Sequence, residues 1–387
     1  MIGFIRKVSI VGSIAALSLA LGGCEIGPKQ SDQLGYRGTG MQQVNNPARK
    51  IPAAVIPAKP YDLPADLGPP ASVTYKNVQV LGNVKTEEFN LLMAQMNQWI
   101  APPEQGCAYC HNPENMADDG KYTKIVARRM LQMTQQINSR WSNHVKQTGV
   151  TCYTCHRGNV VPVNKWAVKE GAMSPTSITG NRFGQNAPDV DTSYASLPNN
   201  AFSTYFQGKS MIRVQGSSAL PQANHVVSTK DAEKTYGLMM HMSSSLGVNC
   251  TFCHNTDAFS SWSNSRPQRV GAYYGIRMVR DINEGYINGL ASVMPANRKG
   301  PMGDPYKTNC LTCHQGQNKP LGGVSMIAQA PSLRGPIGPS GSYGVDAASL
   351  PMEEGAYGMP AAPMAAPAKA TPVKAMIAEP KKATPAH

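Results

Sequence analysis

Spare sulfur is scarce in this sequence: of nine cysteines in 387 residues, eight fall in four short motifs and one stands apart at Cys24. That leaves no material for a disulfide framework, which would in any case suit a chain well under about 100 residues. A long apolar run is missing as well. The best candidate, Val8 to Ala20, is shorter than the roughly 20 residues that a bilayer-spanning helix requires, so no span is expected there. Lysine and arginine are absent from Thr86 to Asp119, a stretch that holds six acids: Glu87, Glu88, Glu104, Glu114, Asp118 and Asp119. The gap contrasts with a formal net charge of +13 for the whole chain.

What is present is one pattern written four times. Cys107/Cys110/His111, Cys152/Cys155/His156, Cys250/Cys253/His254 and Cys310/Cys313/His314 each read Cys-x-x-Cys-His. This is the spacing of c-type haem attachment, in which both sulfurs add to porphyrin vinyl groups and the adjacent histidine ligates the iron from one side. Zinc fits poorly, because a zinc site pairs two Cys-x-x-Cys knuckles and has no use for a histidine behind each. Four covalently attached haems are therefore expected.

The flank of Cys24 accounts for the ninth cysteine. Arg6 and Lys7 precede the apolar run, and "LGGC" follows it, so residues 1–23 read as a signal peptide. The ending resembles a bacterial lipoprotein cleavage site, which implies a lipidated Cys24; two acyl chains suffice for stable anchoring where one is marginal. Residues 24–70, rich in proline and glycine, read as an extended arm, and residues 321–387, rich in proline and alanine, as a disordered tail. Residues 71–320 form the expected folded body. Losing Arg6 and Lys7 and gaining up to eight propionate charges brings the net charge from +13 to about +3, so no nucleic-acid partner is indicated.

Within the body the motif histidines lie 45 residues apart in one pair (His111, His156) and 60 in the other (His254, His314). "TGVTCYTCH" and "LGVNCTFCH" share a frame, which suggests duplication of a haem pair, over about 86–160 and 226–320, joined through a Gly/Asn/Ser/Pro-rich stretch at 170–225. The fold class expected is mainly α with much irregular structure, with a core built around the haems. Helices are predicted at roughly 86–100, 120–146, 230–246 and 270–288.

These helices carry candidate sixth ligands, since an electron-transfer haem usually fills both axial positions with methionine or histidine. Met93 and Met96 precede the first motif, and Met239 and Met240 the third. Met130 and His144 share one face of the second helix about 21 Å apart, so they cannot serve one iron and should serve two. Met278 and Met294 are alternatives for the fourth iron; His225 and His241 are free to ligate, but a surface or core role fits each better.

The stretches "KYTKIVARRMLQMTQQINSRWSNHVKQTGVTCYTCHRGNVVP", "LLMAQMNQWI" before "GCAYCH", and "LMMHMSSSLGVNCTFCHN" resemble the tetrahaem cytochrome c subunit of purple-bacterial photosynthetic reaction centres, over roughly residues 24–320. The resemblance implies three Met/His haems and one His/His haem: Met93 with His111, Met130 with His156, Met239 with His254, and His144 reaching to the iron of His314. It further implies an electron-transfer subunit rather than an enzyme, at the periplasmic face of the inner membrane. There it would dock on the membrane subunits of the reaction centre core, re-reduce the photo-oxidised bacteriochlorophyll pair, and be refilled by a soluble cytochrome c or high-potential iron–sulfur protein. The acidic stretch around the first motif is the expected docking point for a cationic donor. Two other classes are a multihaem reductase, which needs an open haem that carbon monoxide would reveal, and a quinol-linked tetrahaem protein, which normally keeps a spanning N-terminal helix.

Overall fold

The computed structural model describes residues 53–169, 189–208 and 228–335, with 30–33, 42–45 and the single positions 47, 210, 212 and 214. The signal segment, Cys24, His225 and the tail beyond 335 lie outside the described residues. Two short strands, β1 (Gln30–Gln33) and β2 (Gln42–Asn45), pair antiparallel with Gln30 opposite Asn45. The rest is helix and irregular chain: α1 (Ala71–Thr74), α2 (Thr86–Ile100), α3 (Tyr122–Arg140), α4 (Ser142–Val145), α5 (Cys152–His156), α6 (Thr229–Leu246), α7 (Gln268–Ile282) and α8 (Cys310–His314). Among the described residues no helix is long and apolar enough to cross a membrane.

Local chemistry explains the long helices. Glu87 and Glu88 sit in the first turn of α2, where the helix dipole favours acids. Helix α6 begins at a capping box of Ser228 and Asp231 and stops at Gly247, whose left-handed φ of 67° closes its C-terminus. The second predicted helix departs from expectation. It breaks at Trp141 (φ −102°, ψ 26°), so His144 sits in the separate turn α4 and not on the helix of Met130. The cause is tertiary: the Trp141 indole N–H donates to Asp281 Oδ2 of α7 at 2.8 Å, and the backbone turns to reach it. The fourth predicted helix is helical over its expected length, α7 passing at Ile282 into a π-helical turn at Asn283–Ile287 and a 3-10 turn at Asn288–Leu290.

Three apolar clusters form the core. The first joins Leu92 and Trp99 of α2 and Leu131 of α3 to Leu321, Met326, Ile327 and Leu333. The second gathers Trp166, Phe202, Tyr205 and Phe206 against Leu238 of α6 and Ile276 and Val279 of α7. Between them, Met133 and Ile137 of α3 meet Met278 and Ile282 of α7. Two expected boundaries move as a result. The folded body continues past 320 to 335, because Leu321, Met326, Ile327 and Leu333 are buried; and part of the 170–225 join is core, with Phe202 and Phe206 fully enclosed.

The two ends of the body are exchanged. The chain leaving the second motif pairs with the chain entering the fourth, through reciprocal Trp166–Lys307 backbone bonds of 3.1 and 2.7 Å. The chain leaving the fourth motif packs at the entrance to the second, where Ser325 donates to Thr148 O at 2.8 Å and Gln135 Nε2 to Ser332 O at 3.0 Å.

Candidate haem-binding site

The four motifs adopt two alternating shapes. In the first and third, the cysteine segment is a 3-10 turn, Gly106–Tyr109 and Cys250–Phe252. In the second and fourth it is an α-helical turn, followed by a left-handed residue at Arg157 (φ 51°) and Gln315 (φ 50°). The even turns are capped alike: Thr154 Oγ1 accepts from Thr151 N at 3.0 Å, and Thr312 Oγ1 from Asn309 N at 2.9 Å.

The histidines follow the same alternation. His111 Nδ1 bonds Met116 O and His254 Nδ1 bonds Phe259 O, five residues on and both at 3.1 Å. His156 Nδ1 bonds Asn159 O and His314 Nδ1 bonds Gln317 O, three residues on and both at 2.9 Å. A carbonyl only accepts, so Nδ1 carries the proton in each ring and the Nε2 lone pair is left for a metal. Such an outer hydrogen bond fixes ring orientation and raises ligand basicity.

An asparagine holds each even motif at the residue two before its first cysteine. Asn138 accepts from Val150 N at 2.7 Å and donates to Val150 O at 2.9 Å and Leu333 O at 2.7 Å. Asn283 accepts from Thr308 N at 2.9 Å and donates to Thr308 O at 3.0 Å and Phe206 O at 3.3 Å. No sequence reading singled these residues out, because their spacing to the cysteines differs and only the folded chain makes them equivalent.

A cavity of about 680 Å³ lies around the first two motifs and reaches second-half residues such as Ile287, Thr308 and Thr312; its volume is within the range of cofactor sites. Its walls include Cys107, Cys110 and His111 of the first motif and Cys152, Cys155 and His156 of the second. Met93, Met96 and Met130 line the same cavity, as does Met294. Met278 is packed in the apolar seam with Met133 and Ile282.

The two histidines of the other proposed pair stand close together with crossed rings. The His144 and His314 rings are 6.0 Å apart between centroids, with planes at 69°. Metal–nitrogen bonds of about 2 Å on each side, plus about 1 Å from nitrogen to ring centre, give about 6 Å for an N–metal–N axis. His144 Nδ1 bonds Gly271 O at 2.8 Å, which frees its Nε2 in the same manner as the motif histidines. Burial and then the neighbouring His144 push His314 down to about 4, so it is neutral and able to ligate. His241 behaves differently. It lies edge-on to Phe202 at 4.4 Å, and it is its Nε2 that meets Ser245 Oγ, at 3.1 Å; burial pushes it down to about 3. It is a core residue.

Met239 of α6 packs with Leu238 and Cys310 around the second cluster. Helix α6 itself lies against α8, and Gly316 N donates to Ser245 O at 2.8 Å. Cys155 Sγ of the second motif stands 3.0 Å from Cys313 Sγ of the fourth. Burial pushes the Cys152 and Cys310 thiols up to about 12, which suits neutral thioethers and not the thiolates a zinc site needs. Among the described residues no three His, Cys, Asp or Glu side chains converge as a metal-ion site requires. Free histidine Nε2 atoms, paired cysteines and a largely apolar cavity fit covalently held haem.

The acidic stretch is less free than its composition suggests. Asp119 is held by Arg128 at 2.9 Å, Lys124 at 3.1 Å and Asn77 at 3.0 Å, and these partners keep its carboxyl well below the usual range. Glu104, Glu114 and Asp118 remain exposed.

Histidines with one ring nitrogen reserved, each behind a cysteine pair and set on a helical scaffold, define a c-type cytochrome. A profile of the photosynthetic reaction centre cytochrome c subunit matches residues 25–334. The chain is 48% identical over 334 residues to the photosynthetic reaction center cytochrome c subunit of Rubrivivax gelatinosus, covering 85% of this chain and 90% of that protein. It is 45% identical over 330 residues to the protein of the same name from Thermochromatium tepidum, covering 85% and 81%. With that of Roseobacter denitrificans the identity is 38% over 348 residues, covering 84% and 90%. The chain belongs to the photosynthetic reaction centre cytochrome c subunit family. It is an electron-transfer component and not an enzyme.

Proposed function

We propose that this chain is a lipid-anchored, periplasmic carrier with four haems that re-reduces the photo-oxidised bacteriochlorophyll pair of a reaction centre and is refilled by a soluble donor. The observation that carries the reading is the approach of the His144 and His314 rings to 6.0 Å between centroids, each with its Nδ1 on a backbone carbonyl. Such a pair has no place for a substrate between its nitrogens, which favours electron transfer over a reductase. Bound haem supplies one-electron chemistry, its potential set by axial ligands and surroundings.

The chain's own residues do the rest. Cys107/Cys110, Cys152/Cys155, Cys250/Cys253 and Cys310/Cys313 are assigned to attachment, and His111, His156, His254 and His314 to the proximal side. Met93, Met130, Met239 and His144 are assigned to the opposite side. The shared cavity supports Met93 and Met130 for the first two irons. Met96 and Met294 line it too, and ligand replacement at each position distinguishes them.

Contacts between motifs support a linear arrangement. The first and second share a cavity, the second touches the fourth through Cys155 and Cys313, and the fourth lies on the helix that leads to the third. The alternating backbone shapes and matched asparagines support duplication of a two-motif unit. The exposed acids beside the first motif support donor docking there, and the reserved Cys24 supports a lipid anchor. The test is flash-induced cytochrome oxidation in isolated membranes with and without this subunit. Fast re-reduction of the pigment pair must depend on its presence; a rate indifferent to the subunit overturns the reading.

A further inference from the structure

Helix α7 contains two glycines one turn apart, Gly271 and Gly275. Glycine in a helix interior is destabilising relative to alanine, so each requires a reason. Both face His144. The Gly271 carbonyl takes the His144 Nδ1 proton at 2.8 Å, and a β-carbon added at Gly271 would meet nothing within 4 Å. At Gly275 an added β-carbon would stand 2.7 Å from His144 Cε1, 2.9 Å from Nδ1 and 3.3 Å from Nε2. The carbonyl at 271 would be offered by any residue, so only Gly275, which supplies room for the ring, finds its reason here.

We propose that Gly275 is a positioning residue: lacking a β-carbon, it lets the His144 imidazole lie against the backbone of α7 and thereby fixes that ring's distance and crossed angle to His314. The inference rests on the assignment of His144 and His314 to one iron. Carbon atoms prefer about 3.5 to 4.0 Å, so alanine at 275 would drive the ring off its seat by roughly 0.8 Å or more. Ligand constellations hold their function only within about 0.5 Å and 10–20° of the working geometry. The ring cannot simply slide along the helix, because the Gly271 carbonyl holds one corner of it.

The test uses the full-length, haem-loaded protein. Gly275→Ala is compared with the parent chain by redox titration, with the ferric irons followed by electron paramagnetic resonance. The expected result is that one low-spin signal shifts or turns high-spin and its midpoint moves, while the other three irons keep theirs and serve as internal references. Four unchanged signals and midpoints overturn the proposal. His144→Met is measured alongside. If it alters the fourth-motif iron while Gly275→Ala does not, the positioning role alone has failed; if His144→Met leaves that iron unchanged, the ligand assignment has failed and the inference falls with it. Should Gly275→Ala not accumulate with haem, the double variant His144→Ala/Gly275→Ala is compared with His144→Ala. Recovery to the single variant's level locates the collision at the ring, and failure to recover overturns the proposal.

Discussion

Replacing Asn283 by alanine is the sharpest test of how the even motifs are held. Its side chain is fully buried and bonds Thr308 N, Thr308 Oγ1, Thr308 O and Phe206 O, the first three two residues ahead of Cys310. Alanine leaves one backbone N–H and two carbonyls without partners. The Thr308 hydroxyl can turn to another acceptor, so it is not counted. At about 1–3 kcal/mol for each buried group left unsatisfied, and with some recovery by small shifts, the expected loss is about 3–6 kcal/mol. That is a large share of the 5–15 kcal/mol typical of a folded domain. Asn283→Asp should be no better, because it keeps the acceptors but turns a carboxylate toward two carbonyls. The assay is guanidinium unfolding of the haem-loaded protein followed by far-ultraviolet circular dichroism, with visible spectra to report on axial ligation. Asn138→Ala is the matched variant for the second motif. Each change should disturb the iron of its own motif first. Losses within about 0.5 kcal/mol of the parent for both variants, or an Asn283 variant that disturbs the second motif in place of the fourth, would refute the clamp argument.

Three further outcomes are expected. Cys24→Ser should lose its acyl mass by intact-protein mass spectrometry; an unmodified terminus or an intact signal segment in the parent chain would remove the lipid anchor from the proposal. Changing the exposed Glu104, Glu114 and Asp118 to lysine should slow bimolecular re-reduction by a basic donor at low salt and converge with the parent as salt rises, whereas an unchanged low-salt rate would remove the acidic docking point. Asp119→Asn tests pH linkage: the carboxyl is held low by Arg128, Asn77 and Lys124, so its stabilisation is fully present above the unfolded value of about 4 and is lost progressively as pH falls from there through its lowered folded value. The stability gap between parent and variant should therefore be open at neutral pH and close in acid; a gap that persists unchanged at pH 3 would show that the ion pairs do not create it.

The sequence was most legible where information is local. The bounds of α2 match expectation because apolar spacing and first-turn acids act within the helix itself, and α6 starts and stops at its own capping box and glycine. Each motif is likewise complete within five residues. What escaped was set by partners far along the chain. Nothing near Trp141 announces that its indole is tied to Asp281, yet that bond ends α3 and puts His144 on its own turn. The separation of about 21 Å between Met130 and His144 assumes one continuous helix, which the break at Trp141 removes; their assignment to different irons rests instead on Met130 lining the cavity of the first two motifs and His144 standing beside His314. Residues 321–333 look like the start of a proline-rich tail by composition, but their apolar members fill a hollow beside Trp99 that composition cannot reveal.

The exchange of segments ties these misses together. The chain after the fourth motif closes the entrance to the second, and the chain after the second closes the entrance to the fourth. Two motif pairs are visible in the sequence, and they invite division into two lobes near residue 200. The structure argues against lobes that stand alone, because each even motif takes part of its support from the other half: Val150 shares Asn138 with Leu333, and Thr308 lies beside Trp166, whose indole N–H donates to its carbonyl at 2.7 Å. Phe202 and Phe206, in the stretch expected to be a mere join, pack against Trp166 and α7 and so bind the halves at a third point. A carrier built this way fixes its second and fourth motifs against each other more firmly than either could be fixed by its own half. Electron transfer between fixed centres asks for that rigidity, and the interlocking is how a chain with much irregular backbone obtains it.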